Sequence, residues 1–152
     1  MRMALLAAAA AAAVTVGVAV AQSDAAPLPG LPAYTAGYKS WHKLNRTLLP
    51  ARASDAHPGT KNVYVSRRAR AGRYPVGTVV VKEVFRRGQR YPYVIAAMRK
   101  TRARAHNGWL MIEWTRASAS SRFRVLAQGA VCYGCHVGAK RTDYVFTRDR
   151  SQ

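Results

Sequence analysis

From Thr60 onwards, apolar and polar side chains alternate in short runs, and these runs organise the chain. Val63–Ser66, Thr78–Phe85, Tyr91–Met98 and Trp109–Thr115 read as strands, because period-two patterning with β-branched and aromatic residues fits a half-buried pleated surface. Pro75-Val76-Gly77 and His106-Asn107-Gly108 punctuate them as turns. Upstream, Tyr34, Tyr38, Trp41, Leu44 and Leu48 recur at steps of three and four before Pro50, the pattern of one amphipathic helix. Beyond Ser118 the alternation stops, and Arg122–Ala127 and Val131–Lys140 read as short helical pieces. The order predicts an α+β domain, a mainly antiparallel sheet with an N-terminal helix and a C-terminal helix.

The start of the chain follows a different logic. A basic Met1-Arg2-Met3 leads into the apolar run Ala4–Val20, and Ala19-Val20-Ala21 supplies the small-x-small pattern of a cleavage site. Residues 1–21 are therefore expected to be a signal peptide that sends the mature chain to the periplasm. Retention as an anchor is the alternative, since the run approaches the lower limit of a membrane span. Residues 22–33, with Pro27, Pro29, Gly30 and Pro32, read as an extended linker, and residues 34–152 as one domain. With 152 residues and 49% hydrophobic content the chain can build one core and no second independent domain. Two cysteines exclude a disulfide framework.

Those two cysteines stand in Cys132-Tyr133-Gly134-Cys135-His136. Two intervening residues place both sulfurs on one side of a helical turn, within reach of the two vinyl groups of one haem, and the next residue brings an imidazole under the iron. The motif points to haem c, with Cys132 and Cys135 as thioether attachments and His136 as axial ligand. Two other uses of the spacing compete. A redox CxxC wants a βαβ context that this pattern lacks, and a zinc site needs further ligands from the scattered His42, His57 and His106. Function then turns on the sixth coordination position. After the leader only Met98 and Met111 remain as methionines, both in candidate strands where core packing is expected, and none follows His136. His42 and His57 are expected at the surface. A small electron-transfer cytochrome c is the alternative that a filled sixth position would define.

The segments Val63-Tyr64-Val65, Tyr74-Pro75-Val76-Gly77-Thr78-Val79-Val80-Val81-Lys82-Glu83 and the haem motif followed by Asp143-Tyr144-Val145-Phe146-Thr147 resemble the cytochrome P-460 and cytochrome c′-β family. The resemblance runs from about Tyr34 to Arg148. It implies a mainly antiparallel β fold, a homodimer, and a five-coordinate haem whose open face meets hydroxylamine or nitric oxide. It also singles out Lys82. In the P-460 branch a lysine at this place is bonded to a meso carbon of the porphyrin and accompanies hydroxylamine oxidation, whereas the c′-β branch lacks the bond and binds nitric oxide. On a strand, Val80, Lys82 and Val84 share one face, and desolvation there would enlarge the neutral, nucleophilic fraction of the amine. Lys61 roughly matches a basic haem-pocket position that is Arg in the family. Phe85, Phe123, Tyr64, Trp109 and Trp114 are aromatic candidates for a pocket wall, with ordinary core as their bland role. Thr142 or Asp143 is expected to cap a helix N-terminus, and orienting a haem-side group is the alternative role of Asp143. No carboxylate stands out as a distal base.

Charge adds one more constraint. Lys and Arg number 25 against 6 Asp and Glu, for a formal net charge of +19, and arginines cluster at 67–70, 86–90 and 99–104. Without regularly interleaved aromatics, an exported chain of this kind is not expected to bind nucleic acid. A solvated face is the plain reading, and docking of an acidic redox partner or an anionic membrane is the functional one.

Overall fold

Val79, Val80, Val81 and Val84 give the central strand two apolar faces, and the sheet grows around it in both directions. In the computed structural model, which describes residues 25–149, the strands are β1 (His42–Lys43), β2 (Thr60–Val65), β3 (Val79–Phe85), β4 (Val94–Lys100), β5 (Trp109–Thr115) and β6 (Arg124–Gln128). They lie side by side in chain order with every neighbouring pair antiparallel. Helix α1 (Ala130–His136) follows β6, and a 3-10 turn (Val137–Thr142) extends it. The expected leader lies outside the described residues. Among those described, no helix is long and apolar enough to cross a membrane.

Each face of the sheet buries its own cluster. On one, Val63, Val65, Val80, Met98, Met111 and Trp109 pack beneath α1 and the chain end. On the other, Val79, Val81, Ile95, Trp114 and Phe123 are covered by Leu31 and Tyr38 from the N-terminal segment. That segment is fastened where the Phe123 amide donates to the Pro29 carbonyl at 2.8 Å.

The α+β expectation agrees with this architecture, and two local readings are corrected. The stretch from Tyr34 to Leu48 is no single helix. It forms 3-10 turns at Ala33–Thr35 and Tyr38–Ser40 and then β1, with Gly37 at φ 64 between the turns. The apolar steps of three and four arise because the segment drapes over a sheet and drops Tyr38 and Leu44 into different clusters. Arg122–Ala127 is not helical either. Most of it is β6, whose alternation is erased by a register shift opposite Glu113/Trp114 and by the exposure of Arg124, Val125 and Leu126.

Candidate functional site

Antiparallel register decides what the sheet presents to α1. Residues directly opposite on neighbouring strands share a face, so the pairs Val63↔Lys82, Lys82↔Ala96, Ala96↔Glu113 and Glu113↔Ala127 form one row across five strands. Two alanines alternate with two ionisable side chains. The alanines leave the floor low and open a cavity of about 780 Å³ between sheet, α1 and the 50–59 loop, a size that suits a cofactor.

All five side chains singled out in the sequence line this cavity: Cys132, Cys135 and His136 from α1, Lys82 from β3 and Lys61 from β2. The thiols are free, with Cys132 half-buried and Cys135 exposed. Burial first, and then the nearby Glu113 carboxylate, push the Cys132 thiol up. His136 Nδ1 donates to the Tyr144 carbonyl at 2.7 Å, which leaves Nε2 as its coordinating nitrogen. Burial pulls the imidazole pKa down against that hydrogen bond, and the Lys82 charge adds to the fall. The ring is therefore held in the neutral form that a metal requires.

Lys82 stands in the floor, and desolvation lowers its amine to about 8. Lys61 donates to Asp55 Oδ2 at 2.6 Å and to the Gly59 carbonyl at 2.8 Å. That hydrogen bond with Lys61 also holds the Asp55 carboxyl below its ordinary range. His57, expected at the surface, instead lines the cavity and donates through Nδ1 to Glu113 Oε1 at 2.9 Å. Its ring is recruited because the 50–59 loop folds over the open end of the Lys82–Glu113 row. Sequence reasoning also passed over Glu113. Its signal was the same-face register with Lys82, which needs the strand pairing to be known.

Asp143 caps no helix N-terminus. It follows the Val137–Thr142 turn with φ 50, and its buried carboxylate accepts from the Tyr74 amide (2.9 Å), Lys100 Nζ (2.8 Å) and Trp109 Nε1 (3.3 Å). These bonds pin the hook that carries the Tyr144 carbonyl, so Asp143 fixes His136 at one remove. None of Phe85, Phe123, Tyr64, Trp109 and Trp114 lines the cavity. The aromatic there is Phe146, edge-on to His136 with ring centroids 5.2 Å apart. Met98 and Met111 pair across β4 and β5 at the cavity wall as members of the buried cluster.

The residues fit a haem on their own chemistry: two thiols and a neutral imidazole on one short helix, against a hollow, partly apolar floor of cofactor size. An antiparallel meander with this helix laid across it defines a c-type haem domain. The cytochrome P460 family model matches residues 35–147, and the chain belongs to that family. No curated protein and no solved structure matches it.

Proposed function

We propose that Cys132 and Cys135 attach one haem c, that His136 is its axial ligand, and that the protein, exported to the periplasm as a homodimer, oxidises hydroxylamine at the open axial position. The observation that carries the oxidative reading is the polar set facing α1: Lys82, the Lys61–Asp55 pair and the His57–Glu113 pair. The haem, when bound, supplies the redox and ligand-binding chemistry. Oxidation of hydroxylamine releases protons, and the chain has a place for them. Glu113 is an acceptor in reach of the cavity, and His57 orients its carboxylate while offering a second basic site. Lys61, fixed by two acceptors, presents a stationary positive charge and keeps the loop closed over the floor. Lys82, lowered to about 8 by burial, keeps a neutral fraction near pH 7 and is the residue that would bond the porphyrin edge once an added two-electron oxidant has oxidised the ring, the meso C–H giving way to C–N with loss of its proton.

A second reading, nitric oxide binding without turnover, is favoured by the alanines and methionines of the wall, which give a gas ligand an apolar seat. An electron carrier would need Met98 or Met111 as ligand, and both are held in the strand core. One experiment separates these. The holoprotein is given hydroxylamine and a chemical electron acceptor while its absorption spectrum is followed. The proposal expects a red-shifted chromophore that stays abnormal in acid, and acceptor reduction that depends on hydroxylamine. An ordinary high-spin c-type spectrum with nitric oxide capture alone supports the second reading, and a low-spin spectrum lost in Met98→Ala or Met111→Ala supports the carrier.

A further inference from the structure

The five carboxylates among the described residues are all engaged internally: Asp55 with Lys61, Glu83 with Tyr38, Glu113 with His57, Asp143 with Lys100 and Asp149 with His42 and Arg68. Among those residues, two arginines line the cavity, Arg52 from the 50–59 loop and Arg148 from the chain end, and both are exposed. Neither guanidinium has an ion-pair partner among the described residues. Arg52 acts on Asp55 only through space, because the close partner of Asp55 is Lys61 at 2.6 Å. The other arginines of the described residues do not line the cavity, so position and not charge density sets these two apart.

Strand order fixes where they stand. Helix α1 follows β6 and packs on β5 and β6, so the attachment motif begins on that side of the cavity. Its last residue, His136, comes over Val63, Val80, Lys82 and Ala96 of the middle strands. Arg52 lies just beyond Leu49, whose backbone pairs with Lys61 on the β1 side of β2. Arg148 precedes Asp149, whose carboxylate meets His42 of β1 at 3.0 Å. The attachment motif, the imidazole and the two guanidiniums thus follow one another across the sheet from β6 towards β1.

A haem carries its vinyl groups on one half of the macrocycle and its two propionates on the other. Tethering the vinyls at the β5–β6 side turns the propionates towards β1 and β2, where two guanidiniums stand without a carboxylate of the chain. We propose that Arg52 and Arg148 bind the haem propionates, and so fasten the 50–59 loop and the chain end to the cofactor edge opposite the thioethers. The planar guanidinium fork matches a carboxylate with two parallel hydrogen bonds, which a lysine cannot reproduce. Lys61 is a poorer candidate, since its ammonium is already held by Asp55 and the Gly59 carbonyl. The inference rests on the proposed haem attachment, and does not depend on which nitrogen compound is the substrate.

The test uses holoprotein, with intact mass establishing one haem in the parent and in each variant. The propionate bending band in resonance Raman spectra, followed as a function of pH, reports the propionates themselves. Arg52→Gln/Arg148→Gln is compared with Arg52→Lys/Arg148→Lys and with Arg102→Gln/Arg104→Gln, an equal charge loss at exposed residues outside the cavity. A guanidinium beside a carboxylate lowers its pKa by about one to three, so the first variant should move the band and raise the pH at which it titrates by about that much. The lysine pair should recover most of the titration without the parent's band position, and the control pair should match the parent in both. A parent-like band in Arg52→Gln/Arg148→Gln with haem attached would overturn the inference alone. An equal change in the control pair would overturn it by showing that net charge sets the band. A parent that carries no haem would overturn the attachment itself, and the inference with it.

Discussion

Replacing Asp143 with Ala tests the claim that one buried carboxylate holds the chain end, and through it His136, against the sheet. The carboxylate serves three donors: the Tyr74 amide, the Trp109 indole and the Lys100 ammonium. Its side chain is only 3% exposed, and that of Lys100 13%. Removing one partner of a buried ion pair costs about 3–5 kcal/mol, and an orphaned buried amide adds roughly 1–3 kcal/mol. Two features reduce the sum. Lys100 keeps the Asn107 carbonyl at 3.0 Å and the Trp109 ring at 4.7 Å, so its charge is not stranded. The left-handed φ of 50 works the other way, since Asp and Asn accept it more readily than Ala. The expected net loss is about 3–5 kcal/mol for Asp143→Ala and roughly half of that for Asp143→Asn, read from urea denaturation of the holoprotein by far-ultraviolet circular dichroism. Lys100→Met in both backgrounds should give a coupling energy of at least about 1.5 kcal/mol. A stable Asp143→Ala protein, within about 1 kcal/mol of the parent and with negligible coupling, would refute the reasoning.

Glu113→Gln should lower the rate of hydroxylamine oxidation by about a hundredfold while haem content stays unchanged, and His57→Ala should lower it less, because the carboxylate survives without its orienting donor; steady-state kinetics across pH check both. Lys82 makes the haem-free chain more stable in alkali. Its folded pKa of about 8 lies below the ordinary 10.5, so the cost of burying its charge is fully present below pH 8. As pH rises from 8 to 10.5 the unfolded chain holds the extra proton, and stability should climb by about 3 kcal/mol. Lys82→Met should remove that rise relative to the parent in urea titrations at the two ends of the range. Gly30→Ala should destabilise by at least about 2 kcal/mol in the same denaturation assay, because φ is +91 and a Cβ would stand 2.2 Å from the Phe123 carbonyl oxygen.

The haem motif could be read from the sequence because attachment to one porphyrin demands a fixed local spacing, and local spacing is what a sequence displays. Strand β5 was legible for a similar reason: Trp109 and Met111 bury on one face and Trp114 on the other, and the strand runs over the residues its pattern marks. Strand β4 lies two to three residues beyond its expected span, because Tyr91 and Tyr93, which look like strand residues, belong to the turn where the Tyr93 hydroxyl donates to the Pro58 carbonyl. The N-terminal segment misled because a chain laid across a sheet can bury every third or fourth side chain without coiling, and Tyr38 is held by a hydrogen bond to Glu83, 45 residues away. The same non-locality hid the cavity's proton-handling groups. His57 and Glu113 are 56 residues apart, and only the register through Ala96 brings Glu113 into the row with Lys82.

The central claim, one haem held covalently by Cys132 and Cys135, is tested most directly by the intact mass of the protein made with c-type maturation machinery. A chain heavier than its polypeptide by one haem, reduced to the bare polypeptide mass in Cys132→Ala/Cys135→Ala, is the predicted result. An unmodified mass with both thiols open to alkylation would contradict it.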